Sequence, residues 1–203
     1  MKLLFFDTET TSIRPGSICQ LSYITVDTST KPQKTSGKNY FFTVDEMDPN
    51  AEAVHGFSLE KLYELSSGKD FSDLVEEFVD DFLEADFVIG HNVNFDIKFM
   101  KSELDPLGLD YEARRTFCTM NYYKDILKIL KSNGSYKNPK LEEVIDYLGI
   151  TKEQIKNKAD ELFEGSGNYH DARFDTAATY LTVIEGLKRK LIPHGYFSNI
   201  ANS

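Results

Sequence analysis

The chain has 203 residues, 40% of them hydrophobic, enough for one α/β domain with a substantial core and too few for two. No apolar run approaches the roughly 18 residues that span a bilayer, and MKLLFFDTET turns acidic too early for a secretory signal, so a cytoplasmic protein with no membrane partner is expected. A formal net charge of −10 argues against a protein that coats long nucleic acid by phosphate neutralisation alone.

Residues 2–6, KLLFF, are apolar after the lysine and end in Asp7, which predicts a central strand buried on both faces. Two strands rich in β-branched and aromatic residues follow, at 17–26 and 38–44, with the polar TSTKPQKTSG between them read as a hairpin loop. From Phe71 to Leu83 apolar residues recur at three-and-four spacing, with acids on the other face, which predicts a helix. FVIG at 87–90 reads as a short buried strand, 97–104 as a helix and 115–118 as a fifth strand. Helices are then predicted over 122–130 and 141–148, another opens at Thr151 with Gln154 in capping-box spacing, and a long one covers about 171–191. One domain over 1–203 is expected, with its core at about 2–192; the tail HGYFSNIANS after Pro193 reads as either disordered or a docking peptide. Cys19 and Cys118 read as reduced core cysteines. Between Arg114 and Lys140 the basic residues Arg114, Arg115, Lys124, Lys128, Lys131, Lys137 and Lys140 stand against the single acid Asp125, giving +6 there and −16 elsewhere. Such a strip can receive one strand's phosphates or be a solvated face.

Three segments carry candidate chemistry. Asp7 and Glu9 stand two apart at the end of a strand, so both carboxylates can project to one point, where two anions need a cation; DTETTS also reads as a polar turn. Asp96 follows the turn-forming residues His91, Asn92 and Asn94 and stands where a helix could start, the position of an ordinary N-terminal helix acid too. In HDARFDTAATY, His170 and Asp175 are five positions apart, about 140° round a continuous helix, so they converge only if His170 lies in the preceding loop. Gly165, Gly167 and Asn168 can supply that loop, Asp171 competes for the helix cap, and a surface histidine remains the plain reading of His170 alone.

In order and spacing, the three segments resemble the three motifs of the proofreading-type, DnaQ-like DEDDh 3′-to-5′ exonuclease family. AVHGFS at 53–58, FCTM at 117–120 and PKLEEVIDYLGI at 139–150 extend the resemblance from Lys2 to about Leu181. Ser12 departs from it, since the family often has glycine after the paired threonines. The resemblance implies an α/β, ribonuclease-H-like fold with a five-stranded mixed sheet flanked by helices. It implies two divalent cations, Mg²⁺ or Mn²⁺, with Asp7 bridging both, Glu9 and Asp175 completing the first, Asp96 supporting the second and His170 as general base. An imidazole suits that role because it changes charge near neutral pH. It further implies that Thr8, Thr10, Thr11 and Asn92 lie along the terminal nucleotide and that His55 and Phe57 approach its base. The expected partner is a nucleic acid with a free 3′ end, DNA before RNA, cleaved to 5′-mononucleotides, together with a DNA polymerase or another replication or repair protein. An exoribonuclease of the same superfamily and a non-catalytic nucleic-acid-binding or polymerase-docking module are the rival readings.

Overall fold

A computed structural model describes residues 1–13, 16–163, 165 and 167–201. Its centre is a five-stranded sheet in the order β3-β2-β1-β4-β5, formed by β1 (Lys2–Thr10), β2 (Ile18–Asp27), β3 (Lys34–Phe41), β4 (Phe87–Gly90) and β5 (Thr116–Cys118). The pairs β1/β2 and β2/β3 are antiparallel, whereas β1/β4 and β4/β5 are parallel. The expected mixed sheet is therefore present.

The period-2 alternation of β1 sorts its residues between two cores. Leu3 and Phe5 join Ile24, Val26, Ile89, Phe174 and Ala177 on one face, while Leu4 and Phe6 join Tyr23, Val88, Val93 and Phe99 on the other. The first face is covered by α7 (Leu141–Tyr147), α8 (Lys152–Phe163) and α9 (Ala172–Lys188). The second carries α5 (Val93–Leu104) and the aromatic segment beginning at Phe71.

Several boundaries differ from expectation for identifiable reasons. β3 begins at Lys34, not 38, because it is an edge strand whose polar residues pair with β2 on one side and meet water on the other. The helix expected over 71–83 is broken into α3 (Phe71–Leu74), a 3₁₀ turn (Val75–Glu77) and α4 (Val79–Glu84). Phe78 at the break packs among Tyr40, Phe42, Phe71 and Phe82, and the Glu77 carbonyl accepts from Lys38 Nζ at 3.0 Å. Helix α5 starts at Val93 instead of 97, and α6 covers Thr119–Leu127 instead of 122–130, ending at Lys128 with φ 51°. The Thr151/Gln154 capping box forms, at 2.7 and 3.2 Å. Two helices were not anticipated: α1 (Pro49–His55), which buries no residue and so has no apolar stripe to read, and α2 (Leu59–Ser66). Cys19 and Cys118 are both free thiols.

The tail after Pro193 turns back onto the protein as α10 (Tyr196–Ala201). Phe197 is buried, with its ring 5.2 Å from Phe87 and 5.3 Å from Phe117. Phe197→Ala removes an aromatic side chain from this cluster, far in sequence and space from the acidic residues. It is expected to cost about 3 kcal/mol in urea unfolding while leaving cleavage at low temperature unchanged; an unchanged unfolding midpoint would show that the tail does not contribute to the core. No helix among the described residues is long and apolar enough to cross a membrane.

Candidate active site

β1 runs past its apolar segment, and Asp7 and Glu9 continue the face that Leu3 and Phe5 begin. That face lies under α9, whose first turn carries Asp175. Carboxylate oxygens of Asp7, Glu9 and Asp175 consequently lie within 4.8 Å of one another. Thr8 points to the opposite face and meets α5: Asp96 Oδ1 accepts from the Thr8 hydroxyl at 2.8 Å and from its backbone N–H at 3.2 Å. Asp96, 3% exposed, is thereby fixed next to the three other carboxylates without belonging to their closest group.

Like charges in a dry setting suppress ionisation. Burial, then the charges of Asp96, Asp175 and Glu9, holds Asp7 well above the usual carboxylate range, and burial with Asp175 and Asp171 does the same to Glu9. Burial pushes Asp96 up to about 7 against the opposing Thr8 hydrogen bonds, and pushes Asp175 to about 7 against the His170 backbone N–H. Without a cation, these four groups keep protons in the folded protein that the unfolded chain releases near pH 4, so their contribution disfavours the fold increasingly as pH rises from about 4 to about 7. In chelator, the thermal midpoint is expected to be higher at about pH 5 than at about pH 8. Saturating Mg²⁺ should reverse this order, because a bound cation favours the ionised carboxylates; a pH-independent midpoint in chelator would contradict the assigned shifts.

His170 lies in the turn before α9, not on it, with φ 62°. Its backbone N–H donates to Asp175 Oδ2 at 3.1 Å, and its side chain is exposed. The other oxygen, Asp175 Oδ1, is buried with no hydrogen-bond partner among the described residues. A buried anionic oxygen left unpaired in this way is the expected mark of a ligand to a cation. Asp171 caps α9, its carboxylate accepting from the Arg173 backbone and guanidinium. Although burial works to raise it, Arg173 and Gln20 hold Asp171 below the usual carboxylate range.

A cleft of about 420 Å³ opens beside the carboxylates, lined by Thr8, Glu9, Thr10, Ile13, Val54, His55 and Phe95 among others. Ile13 is 89% and Val54 55% exposed. His55 faces the cleft, and burial followed by the nearby His170 lowers its pKa, with the Thr10 carbonyl partly offsetting this. Phe57 is elsewhere: 4% exposed, it packs with Cys19, Leu62 and Phe41 and stacks beneath His55 at 5.2 Å, so it is a core residue and does not itself line the cleft as expected. Thr10 donates its hydroxyl to the Ser12 carbonyl at 2.8 Å, and Thr11 is buried, bound through its backbone to Ser17 and Asp48. Asn92 is exposed at the cap of α5 with φ 72°, outside the cleft lining. Val54, Ile13 and Phe95 are the cleft residues the sequence reading missed; an exposed apolar side chain at the end of a short helix carries no periodic signal.

The basic strip does not hold together in space. Arg114 pairs with Asp86 at 3.8 Å and Arg115 lies over the Phe87 ring, at the start of β5 and so at the opposite end of the parallel strands from Asp7. Lys137 pairs with Glu143. Lys128, Lys131 and Lys140 are exposed around a projecting segment where Leu130 and Tyr136 form a β-bridge. His91 ties this segment to the start of α5, its Nε2 3.0 Å from the Pro139 carbonyl and its Nδ1 3.0 Å from the Thr119 hydroxyl.

Acids brought together from β1, α5 and α9 at one end of this sheet are the arrangement of the ribonuclease-H-like nucleases, and the chain belongs to the exonuclease family, whose model, described as RNase_T exonuclease, matches residues 4–181. Within that superfamily it is a DnaQ-like exonuclease of the DEDDh type. The DNA polymerase III epsilon subunit of Salmonella typhimurium is 37% identical over 89 residues, covering 42% of this chain and 35% of that protein. The Escherichia coli epsilon subunit is 35% identical over the same length. Among solved structures, exonuclease I of Methylocaldum szegediense superposes with a TM-score of 0.69 at 16% identity, over 98% of this chain and 42% of that one. Escherichia coli exonuclease I in complex with a dA13 oligonucleotide gives 0.66 at 15% identity with the same coverage. At such identities the structural likeness establishes the fold, and the chain spans well under half the length of these relatives.

Proposed function

We propose that this chain is a divalent-metal-dependent 3′-to-5′ exonuclease that shortens single-stranded DNA by one 5′-mononucleotide at a time. The observation carrying the reading is the group of Asp7, Glu9 and Asp175 oxygens within 4.8 Å, together with a buried Asp175 oxygen that has no hydrogen-bond partner among the described residues. Hard oxygen donors with no histidine or thiolate among them suit Mg²⁺ or Mn²⁺. Asp7, Glu9 and Asp175 would hold one ion, and Asp7 with Asp96 a second. Two such ions neutralise the scissile phosphate and stabilise the attacking and leaving oxygens of an in-line displacement.

The protein's own groups supply the rest. His170, exposed at the rim and anchored through its backbone to Asp175, accepts the proton of the attacking water. The terminal base enters the cleft between Ile13, Val54 and Phe95, where contact with an aromatic face is worth about 1–3 kcal/mol in single-strand binders. His55, whose charged form burial disfavours, lines the same cleft, and Phe57 supports it from behind. A paired end must first fray, at a cost of a few kcal/mol, which favours unpaired substrates. Similarity to DNA polymerase III epsilon subunits supports a polymerase as a partner. The test compares labelled single-stranded DNA, mismatched duplex DNA and RNA of equal length with Mg²⁺, Mn²⁺ or chelator. Fastest loss of single-stranded DNA with either metal is expected; faster loss of RNA would make this an exoribonuclease, and equal loss in chelator would exclude metal-dependent cleavage.

A further inference from the structure

Gln20 is a fully buried polar side chain with no part in the chemistry above. It stands on β2 directly across from Glu9 and reaches the N-terminus of α9. Its Oε1 accepts from the Ala172 backbone N–H at 3.0 Å, one of the donors that a helix start leaves without an intrahelical partner. Because that N–H can only donate, it fixes the amide orientation, and Nε2 must then donate. It does so to Asp171 Oδ1 at 3.0 Å and to Asn39 Oδ1 at 2.9 Å. Asn39 Oδ1 also accepts from Ser22, and Thr176 on the next turn of α9 donates to the Ser22 carbonyl at 3.1 Å. Asp171 in turn binds Arg173, and its carbonyl accepts the Asp175 backbone N–H at 3.1 Å. The loop before His170 is moulded to this ion pair: a Cβ on Gly167, which has φ 56°, would fall 2.2 Å from Asp171 Cγ.

We propose that Gln20 is the positioning residue of the metal centre, locking the N-terminus of α9 to the strand opposite Glu9 so that Asp175 and His170 are held at the distances a cation requires. The proposal rests on the metal-dependent reading given above. Glu9 sits on one strand and Asp175 on the helix packed over it; Gln20 spans that joint, opposite Glu9 in the ladder register and hydrogen-bonded through its side chain to residues 171 and 172. Outer hydrogen-bond partners of this kind typically govern metal affinity by about 10–100-fold.

The test is Mn²⁺ binding by calorimetry and by the loss of the free-ion electron paramagnetic resonance signal, without nucleic acid, on folded protein checked by circular dichroism. Wild type should bind, and Asp7→Asn should not; absence of binding in wild type would be a failure of the metal reading, distinct from the present inference. Gln20→Leu should weaken Mn²⁺ at least about tenfold, with the KM for the DNA strand little changed. Gln20→Glu should do the same, since it loses the donor and sets a carboxylate against Asp171. Gln20→Met, neutral and close to glutamine in volume, removes the same hydrogen bonds with the least disturbance of packing and leaves the Asp171 cap on Arg173 in place, so it should weaken Mn²⁺ likewise. Native Mn²⁺ affinity in folded Gln20→Leu or Gln20→Glu would overturn the proposal. If neither of those folds, Gln20→Met decides, and native Mn²⁺ affinity in it would overturn the proposal equally.

Discussion

Asp7→Asn is expected to lower cleavage by at least about 10³-fold, beyond the 10–100-fold that loss of an outer-shell partner costs. Asp7 sits at the meeting point of all the other acids: the charges of Asp96, Asp175 and Glu9 each press its ionisation upward. On the proposed two-metal reading, a neutral amide there removes the group that would serve both cations. The same change should affect stability in the opposite direction. Metal-free Asp7→Asn loses repulsion within a buried anionic cluster and should melt higher than wild type near pH 8, while no longer gaining stability from Mg²⁺. Loss of activity with a raised metal-free midpoint separates a missing ligand from a damaged fold, and retention of Mg²⁺-induced stabilisation would remove Asp7 from the ligand set.

His170→Ala should lower turnover by about 10²–10⁴-fold, the usual contribution of a positioned general base. The KM for the strand and the affinity for Mn²⁺ should both hold, because the imidazole is exposed and the tie to Asp175 is made by the backbone, which alanine retains. With φ at 62°, a glycine at this position would fit the backbone better than alanine, so His170→Gly provides a control for strain. Equal turnover losses in the two variants would trace the effect to the imidazole. A large loss of strand affinity with normal turnover would reassign the residue to substrate binding.

The acids were legible because strand periodicity is strict. The two-residue spacing of Asp7 and Glu9 forces a shared face, and the five-position separation of His170 and Asp175 forces one of them off the helix, as the turn before Ala172 shows. The helix of Asp96 was legible in kind but not in start, since Asn92 caps it in the left-handed region with no side-chain hydrogen bond. Other features left no periodic trace. Helix α1 buries nothing, although Asp48 before Pro49 is a cap signal that was there to be read. The helix expected over 71–83 has uninterrupted three-and-four spacing, and only the aromatic crowding at Phe78 and the side chains waiting on β3 break it. The charge strip failed because linear density says nothing of direction: β5 separates Arg114 and Arg115 from the lysines beyond it by the length of the sheet's short edge. Gln20 was invisible for the same reason in reverse, as its partners on α9 and its cap are 151 and 152 residues away.

A time course on a 5′-labelled single strand, a copy capped with a 3′-phosphate and a covalently closed circle, each with Mg²⁺ and with chelator, tests the central claim most directly. With the cleft beside Glu9 proposed to take a chain end, the account predicts a ladder shortening from the 3′ terminus, a slowed capped strand, an intact circle and no cleavage in chelator. Cutting of the circle, or release of the 5′ label as a mononucleotide from the outset, would contradict it.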